Sequence, residues 1–183
     1  MAKLHTPRWA WALTGSGHFF VESFALIHTL GHVDVFVSRA AEEVLRMYKL
    51  KLDFPKTVRV LHDKTASSIP IGGFYYGVYH TLVIAPATSN TVAKCVLGIS
   101  DTLPTNAFAQ AGKCRVESIV FACDTSPEMM TMAPAGPVPV YPRPIDLERT
   151  DQLKSFERTT VVETLAELEA AITRRRGEVG EAR

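Results

Sequence analysis

The chain has 183 residues, of which 46% are hydrophobic, and this is enough for one domain with its own core. Lysine and arginine together number 20 and aspartate and glutamate 19, so the net charge is +1. A nearly neutral chain gives no electrostatic reason to expect nucleic acid or an anionic membrane as a partner.

The cysteines and the N-terminal segment indicate a cytoplasmic protein. Cys95, Cys114 and Cys123 are far apart and form no CxxC motif, so they suit a reducing compartment better than a metal site or disulfides. The apolar run "WAWAL" is broken by "TGSGH" and is too short for a signal peptide, which needs about 7–15 apolar residues. No stretch approaches the roughly 20 apolar residues of a membrane span.

Strand and helix patterns alternate along the first half of the chain. "WAWALTGSG" predicts a strand followed by a tight turn, and apolar residues at helical spacing predict a helix over residues 18–30. "VDVFVS" predicts a second strand, residues 40–50 a helix, and "TVRVLHD" a weakly patterned third strand. Residues 70–79 mix glycines with aromatic residues and predict no single structure.

The alternation continues in the second half. "TLVIAP" predicts a buried strand, followed by helices over residues 91–98 and 101–111 and then by the strand "VESIVFAC". "TTVVET" predicts a last short strand, and residues 165–174 a terminal helix. Near-continuous apolar strands separated by helices are typical of parallel strands buried on both faces. We therefore expect a three-layer α/β/α sandwich with a parallel, doubly wound sheet of the Rossmann-like, flavodoxin-like kind.

The domain organisation is predicted to be simple. No repeat occurs and no second domain is indicated, so residues 1–183 are expected to form one domain. Five prolines between residues 134 and 144 predict an irregular arm, which leads into the terminal strand and helix.

The residues that follow the predicted strands indicate a ligand site, because ligands of doubly wound sheets lie outside the carboxyl ends of the strands. These residues are Thr14–Gly17, Ser38–Ala40, Pro86–Thr91 and Cys123–Ser126. They are small, rich in hydroxyl groups and nearly uncharged. Such a set suits a phosphate held by backbone N–H groups, hydroxyls and helix N-termini, although "TGSG" alone would also suit a plain turn.

A mononucleotide fits this pattern better than a dinucleotide. In the dinucleotide fingerprint, Gly15 and Gly17 would be followed by a third glycine where this chain has Phe20. The acidic residue expected after the second strand is replaced by Ser38, and no phosphate-binding GxxxxGK[ST] loop occurs.

The segment "APATSNTVAKCVLGISDTL" resembles the homo-oligomeric flavin-containing cysteine decarboxylases and their relatives. That family has Pro-Ala-Ser-Ala-Asn-Thr where this chain has Pro86–Thr91, and its Gly-Ser turn and later Ser or Thr match Gly15-Ser16 and Ser38. The tail "GxxDxL" matches from Gly98 onwards. The resemblance implies that Thr88, Ser89, Asn90 and Thr91 hold the phosphate of FMN.

Two departures argue against the decarboxylase branch itself. Gly72 stands where the decarboxylases have a catalytic His, and "ACDTSPEMM" lacks the Asn of their substrate clamp. The basic and Glu-bearing substrate site of the flavin prenyltransferases is not recognisable either. The segments "GGFYYGVYHTLVIAPATSNTVAK" and "VYPRPIDLERTDQLKSFERTTVVET" are instead similar to the archaeal-type flavoproteins, a branch that includes dihydromethanopterin reductases.

The resemblance implies an FMN-dependent reductase that passes reducing equivalents to dihydromethanopterin, giving tetrahydromethanopterin for one-carbon metabolism by a ping-pong mechanism. It implies a homo-oligomer built from trimers and a reduced flavin or another electron donor. Two alternatives stay open: a non-catalytic flavin-binding or storage protein, and a divergent decarboxylase or prenyltransferase.

The resemblance also assigns site residues, with FMN carrying the redox chemistry and no metal expected. The expected cofactor-binding residues are Gly15, Ser16, Gly17, Ser38, Arg39, Gly72, Gly73, Pro86, Ala87, Thr88, Ser89, Asn90, Thr91 and Asp101. The expected substrate residues are Phe74, Tyr75, Tyr76, Asp124 and Thr125.

Overall fold

The fold is that of a computed structural model, which describes residues 7–64 and 68–181. In chain order its elements are β1 (Arg8–Leu13), α1 (Phe20–His28), β2 (Val33–Val37), α2 (Arg39–Met47), β3 (Val58–His62), α3 (Ser68–Tyr75), β4 (Tyr79–Ala87) and α4 (Ser89–Leu97). They continue with α5 (Leu103–Lys113), β5 (Glu117–Ala122), β6 (Met129–Ala133), β7 (Gly136–Val140), α6 (Pro144–Leu153), β8 (Thr159–Val162) and α7 (Leu165–Val179).

Six strands form one fully parallel sheet in the order β3-β2-β1-β4-β5-β8. Successive side chains of a strand point to opposite faces, and β1 shows this clearly. Trp9, Trp11 and Leu13 enter one core with α1, α2 and α7, whereas Ala10 and Ala12 enter the other with α3, α4 and α5. The predicted three-layer α/β/α sandwich with a doubly wound parallel sheet is therefore confirmed.

The order of the strands places a crevice at the carboxyl ends of β1 and β4. The chain moves outward from β1 to β2 and β3 on one side, and from β4 to β5 and β8 on the other. β1 and β4 are neighbours whose following connections diverge, so this is the topological switch point at which doubly wound sheets bind ligands.

The proline-rich arm is not irregular, and that prediction was wrong. β6 and β7 form an antiparallel hairpin in which Pro137 and Pro139 pair with Met132 and Met130. A two-stranded ribbon has two edges, so a proline that cannot donate a hydrogen bond is tolerated there. α6 then begins at Pro144, a position where the missing N–H costs nothing.

Residues 70–79, for which the sequence predicted no single structure, contain the end of α3 and the start of β4. The last helix extends to Val179, beyond the predicted end at residue 174. Within the described ranges, no helix combines the length and the apolar character that crossing a membrane requires.

Candidate functional site

A cavity of about 500 Å³ opens at the carboxyl ends of β1, β2 and β4. Its lining joins the connections that follow β1, β2, β3 and β4 with the connection between α4 and α5. The lining residues are Thr14, Gly15, Ser38, Arg39, Ala40, Asp63, Thr88, Asn90, Thr91, Lys94, Asp101, Thr102 and Pro104.

The N-terminus of α4 faces this cavity. Thr88 caps the helix, since its hydroxyl oxygen accepts the backbone N–H of Thr91 at 3.3 Å and lies 3.0 Å from the Thr91 hydroxyl. Asn90 is exposed at the opening. The dipole of a helix N-terminus favours an anion, and two hydroxyls and an amide add hydrogen-bonding groups. The backbone N–H groups of Ser89 and Thr91 are already bound, by the Asp124 carboxylate and the Thr88 hydroxyl.

Thr14 joins the two strands that flank the switch point. Its hydroxyl donates to the Pro86 carbonyl oxygen at 2.7 Å and accepts the backbone N–H of Thr88 at 3.0 Å. This buried hydroxyl thus acts both as a donor and as an acceptor, and the two hydrogen bonds fix the start of α4 against β1. Thr14 was among the residues after the strands that indicated a ligand site, but it was not one of the expected cofactor-binding residues.

Ser38 and Arg39 line the cavity but are already engaged. The Ser38 hydroxyl caps α2 by accepting the backbone N–H of Ala41 at 3.0 Å. Arg39 donates from Nε to the Asp63 carbonyl oxygen at 3.1 Å and from Nη2 to the Lys64 carbonyl oxygen at 2.7 Å. Their roles in this structure are to fix α2 and the segment after β3.

The charged groups of the cavity are paired. Lys94 Nζ lies 2.9 and 2.8 Å from the two carboxylate oxygens of Asp101, and this hydrogen bonding lowers the pKa of Asp101. The buried Asp63 carboxylate accepts the backbone N–H of Leu103 at 3.0 Å. Lys94, Asp63 and Thr102 were not in the predicted site, because only the fold brings the connections after β3 and α4 to this edge.

The Gly-Ser turn packs tightly under α2. A Cβ on Gly15 would lie 2.6 Å from the Cβ of Ala40, and one on Gly17 would overlap the Tyr48 ring. Gly15 borders the cavity, whereas the Ser16 hydroxyl donates to the His18 carbonyl oxygen at 3.3 Å. The two glycines are required by the close approach of this turn to α2.

Asp124 lies on the other side of the α4 N-terminus. One of its carboxylate oxygens accepts the backbone N–H of Ser89 at 3.2 Å. Burial lowers the pKa of the nearby His18 imidazole, whereas the negative charges of Glu22 and Asp124 act in the opposite direction. Thr125 follows Asp124 and is half-buried.

The structure does not bring the glycine-aromatic segment to the cavity within one chain. Gly72 and Gly73 lie inside α3, and a Cβ on Gly73 would meet the ring of Tyr79 at the amino end of β4. Phe74, expected to wall a substrate slot, is 2% exposed and packs in the core because its ring contacts Tyr79. Two further tyrosines of this segment, Tyr75 and Tyr76, are 62% and 85% exposed on the surface.

The donors present fit a phosphate monoester. Thr88, Asn90 and Thr91 surround a helix N-terminus, and Lys94 supplies a cation from the second turn of the same helix. The two carboxylates of the lining, Asp63 and Asp101, both accept hydrogen bonds from protein donors. Among the described residues, no group of three or more His, Cys, Asp or Glu side chains is arranged to hold a metal ion.

The sequence profile of the family described as Flavoprotein matches residues 2–182. The chain belongs to this family. The predicted family is thereby confirmed, on a match that spans nearly the whole chain.

Two curated relatives are named dihydromethanopterin reductase (acceptor). The protein of Methanosarcina mazei is 38% identical over 141 residues, which are 69% of this chain and 59% of the relative. The protein of Methanocaldococcus jannaschii is 39% identical over 135 residues, which are 66% of this chain and 55% of the relative. The chain thus spans less than two thirds of the length of these relatives.

A solved structure matches the chain along nearly its full length. DmrB of Burkholderia xenovorans, solved in complex with FMN and described as a cubic protein cage for redox transfer, is 51% identical. The match covers 95% of this chain and 97% of DmrB, with a TM-score of 0.87. Phenylacrylic acid decarboxylase of Aquifex aeolicus, 22% identical with a TM-score of 0.67, shares the fold.

Proposed function

We propose that this protein is an FMN-dependent reductase that passes reducing equivalents to dihydromethanopterin and forms tetrahydromethanopterin. The observation that supports this most is the phosphate-binding donor set at the N-terminus of α4, in a chain 51% identical to a protein solved with FMN. The two curated relatives named as reductases support the choice of the pterin as acceptor.

The residues of the chain bind and orient the cofactor. Thr88, Asn90 and Thr91 would hold the phosphate with hydroxyl and amide donors, while the dipole of α4 stabilises its negative charge. Lys94 would lie within reach of the same phosphate, with Asp101 holding the lysine side chain in place. Gly15 and Pro86 would fix the course of the backbone on either side of the phosphate.

FMN, when bound, would supply the redox chemistry by taking reducing equivalents from a donor and giving them to the pterin. The protein would exclude water and present one open face to both partners in turn. A donor that must leave before the acceptor enters predicts ping-pong kinetics, and a reduced flavin is one suitable donor.

A homo-oligomer built from trimers is part of this proposal. Among the residues that the structure describes, none of those lining the cavity is aromatic, although the flat, apolar ring system of a flavin needs walls. Tyr75 and Tyr76 are exposed at the end of α3 or just after it, where their rings would face a neighbouring subunit, and the Tyr75 hydroxyl donates to Gln110 Oε1 at 2.6 Å. The description of DmrB as a cubic cage is in line with such an assembly.

The test is a single-turnover reaction without oxygen. The flavin of the purified protein is photoreduced, dihydromethanopterin is added, and the absorbance of the oxidised flavin is followed. Rapid reoxidation together with formation of the tetrahydro product is expected. A reduced flavin that stays reduced, with the cofactor fully bound, would contradict the proposal and favour flavin storage or another acceptor.

A further inference from the structure

The carboxylates at the carboxyl edge of the sheet differ in their hydrogen-bond and ion-pair partners. Asp101 binds Lys94, and the buried Asp63 accepts the backbone N–H of Leu103. Asp124, in contrast, forms no salt bridge within residues 7–64 and 68–181, and its one hydrogen bond there joins Oδ2 to the Ser89 N–H. Its other oxygen is left without a hydrogen-bond partner in the part of the chain that the structure describes.

The sheet holds Asp124 beside the start of α4, next to the residues that line the cavity but not among them. The backbone N–H of Cys123 donates to the Ala87 carbonyl oxygen at 3.0 Å, which ties the end of β5 to the end of β4. Asp124 follows directly, half-buried, and its bond to Ser89 fixes its carboxylate next to the first turn of α4. The guanidinium of Arg143 is near enough to interact with this charge but donates instead to Asp146 at 3.0 and 2.8 Å.

We infer that Asp124 recognises the aminopyrimidinone edge of a pterin acceptor, an assignment that rests on the proposed function. This edge carries a ring N–H and an exocyclic amine that point in the same direction. Two parallel donors match the two oxygens of a carboxylate, and a carboxylate has enough lone pairs to keep the Ser89 N–H as well.

The same geometry would discriminate against lumazines, the pteridine-diones that correspond to pterins. In those rings a carbonyl oxygen replaces the exocyclic amine, so one hydrogen-bond donor is lost. The carbonyl oxygen of the ring would then face a carboxylate oxygen of Asp124, and both are acceptors. Leaving a buried acceptor without a donor costs more free energy than the same hydrogen bond contributes when it forms. The wrong ligand is therefore disfavoured more strongly than the right one is favoured. Asp124 would thus keep the acceptor position selective for a pterin.

The experiment compares two ligands on the FMN-loaded protein. The dissociation constants of a pterin and of the lumazine with the same ring substituents are measured from the change in flavin absorbance. The wild-type protein is expected to bind the pterin about 10- to 100-fold more tightly, the range of a charge-assisted hydrogen bond. Asp124→Asn should bring the two constants to within a few-fold of each other.

The asparagine variant separates recognition from folding, because its amide oxygen can still accept the Ser89 N–H. Asp151→Asn serves as the matched control, since it removes the same charge from an exposed residue of α6 that pairs with Lys154. The control should keep the pterin preference, and all three proteins should hold the same amount of FMN.

Each result distinguishes the inference from the proposed function. A wild-type protein without pterin preference, or an Asp124→Asn variant that keeps it, overturns the role of Asp124 even if the reduced flavin is reoxidised. A preference that disappears in the variant supports that role. If the same wild-type protein fails the reoxidation test, the pterin site stands and the reductase proposal falls.

Discussion

The two ends of the same parallel sheet use polar residues in opposite ways. Near the amino end, the fully buried Asp34 binds Arg8 Nε at 2.7 Å, the Tyr79 hydroxyl at 2.7 Å and the guanidinium of Arg59. At the carboxyl end, hydroxyls, an amide and helix N–H groups surround a cavity of about 500 Å³, and the charged side chains of its lining are bound to partners within the chain. The charged groups of the amino end pair with one another inside the protein, whereas the carboxyl end keeps uncharged donors available for an anion.

The difference follows from the cost of burying a charge. A buried carboxylate is tolerated only when cations and hydrogen-bond donors surround it, and such a group has little left for a ligand. Neutral hydroxyls cost little desolvation free energy at a partly open edge of the sheet. The dipole of α4 supplies the positive potential there. The amino end should therefore govern stability and the carboxyl end cofactor binding.

The largest expected effect is on stability at the amino end. Asp34→Ala leaves Arg8 and Tyr79 without their shared partner, so we expect the free energy of unfolding to fall by about 3 kcal/mol. Urea unfolding at fixed subunit concentration measures this change. Asp151→Ala, which removes an exposed pair with Lys154, should cost less than about 1 kcal/mol. Equal losses in the two variants would contradict the proposed division between the two ends.

The second effect should fall on cofactor binding alone. Asn90→Asp places a negative charge beside the expected phosphate, and FMN affinity should fall at least about tenfold. The helix itself tolerates an acid in its first turn, so the fold should persist. Equilibrium dialysis against FMN gives the affinity, with Gln152→Glu on α6 as a variant of equal charge change. Full retention of FMN by Asn90→Asp would remove the phosphate assignment.

Two glycine variants compare a tightly packed glycine at the carboxyl end with a glycine that has room for a side chain. Gly15→Ala would force Cβ to within 2.6 Å of Ala40, so a loss of about 1–3 kcal/mol in unfolding free energy and weaker FMN binding are expected. Gly72→Ala meets no atom within 4 Å and lies inside α3, so it should gain about 0.5–1 kcal/mol. Loss of FMN in a stabilised Gly72→Ala protein would instead place Gly72 beside the cofactor of a neighbouring subunit.

The last expected effect is a pH dependence at the amino end. Burial, assisted by the charge of Arg175, lowers the pKa of His80 to about 4 from an ordinary value of 6.5. The unfolded chain therefore binds the proton first, and the contribution of His80 is full above about pH 6.5 and lost as the pH falls towards 4. We expect about 1 kcal/mol after allowance for solvent screening.

His80→Gln provides the comparison for that effect. The difference in unfolding free energy between the wild type and this variant should shrink as the pH is lowered through the same interval. A difference that stays constant with pH would show that His80 does not titrate as its burial implies.

Much of the fold and part of the site could be predicted from local patterns. Apolar runs predicted the six strands of the sheet, and "PATSNT" after such a run indicated both the start of a helix and its donors, although α4 begins at Ser89 rather than at residue 91. The sequence did not place Phe74 in the core, because its local sequence is the same whether it lines a slot or packs on Tyr79. Ser38 likewise reads as a ligand donor or as a helix cap, and the structure uses it as the cap.

The sequence by itself determined the alternation of strands and helices and the chemical type of the residues that follow each strand, because both depend on local spacing and composition. Only the tertiary structure decided which of those residues share a cavity. Asp63 and Thr102 reach it because separate connections pack together, and Asp34 is bound by Arg8 and Arg59 from the neighbouring strands. Such contacts join residues far apart in the chain, and they depend on strand order and packing, which local periodicity does not specify.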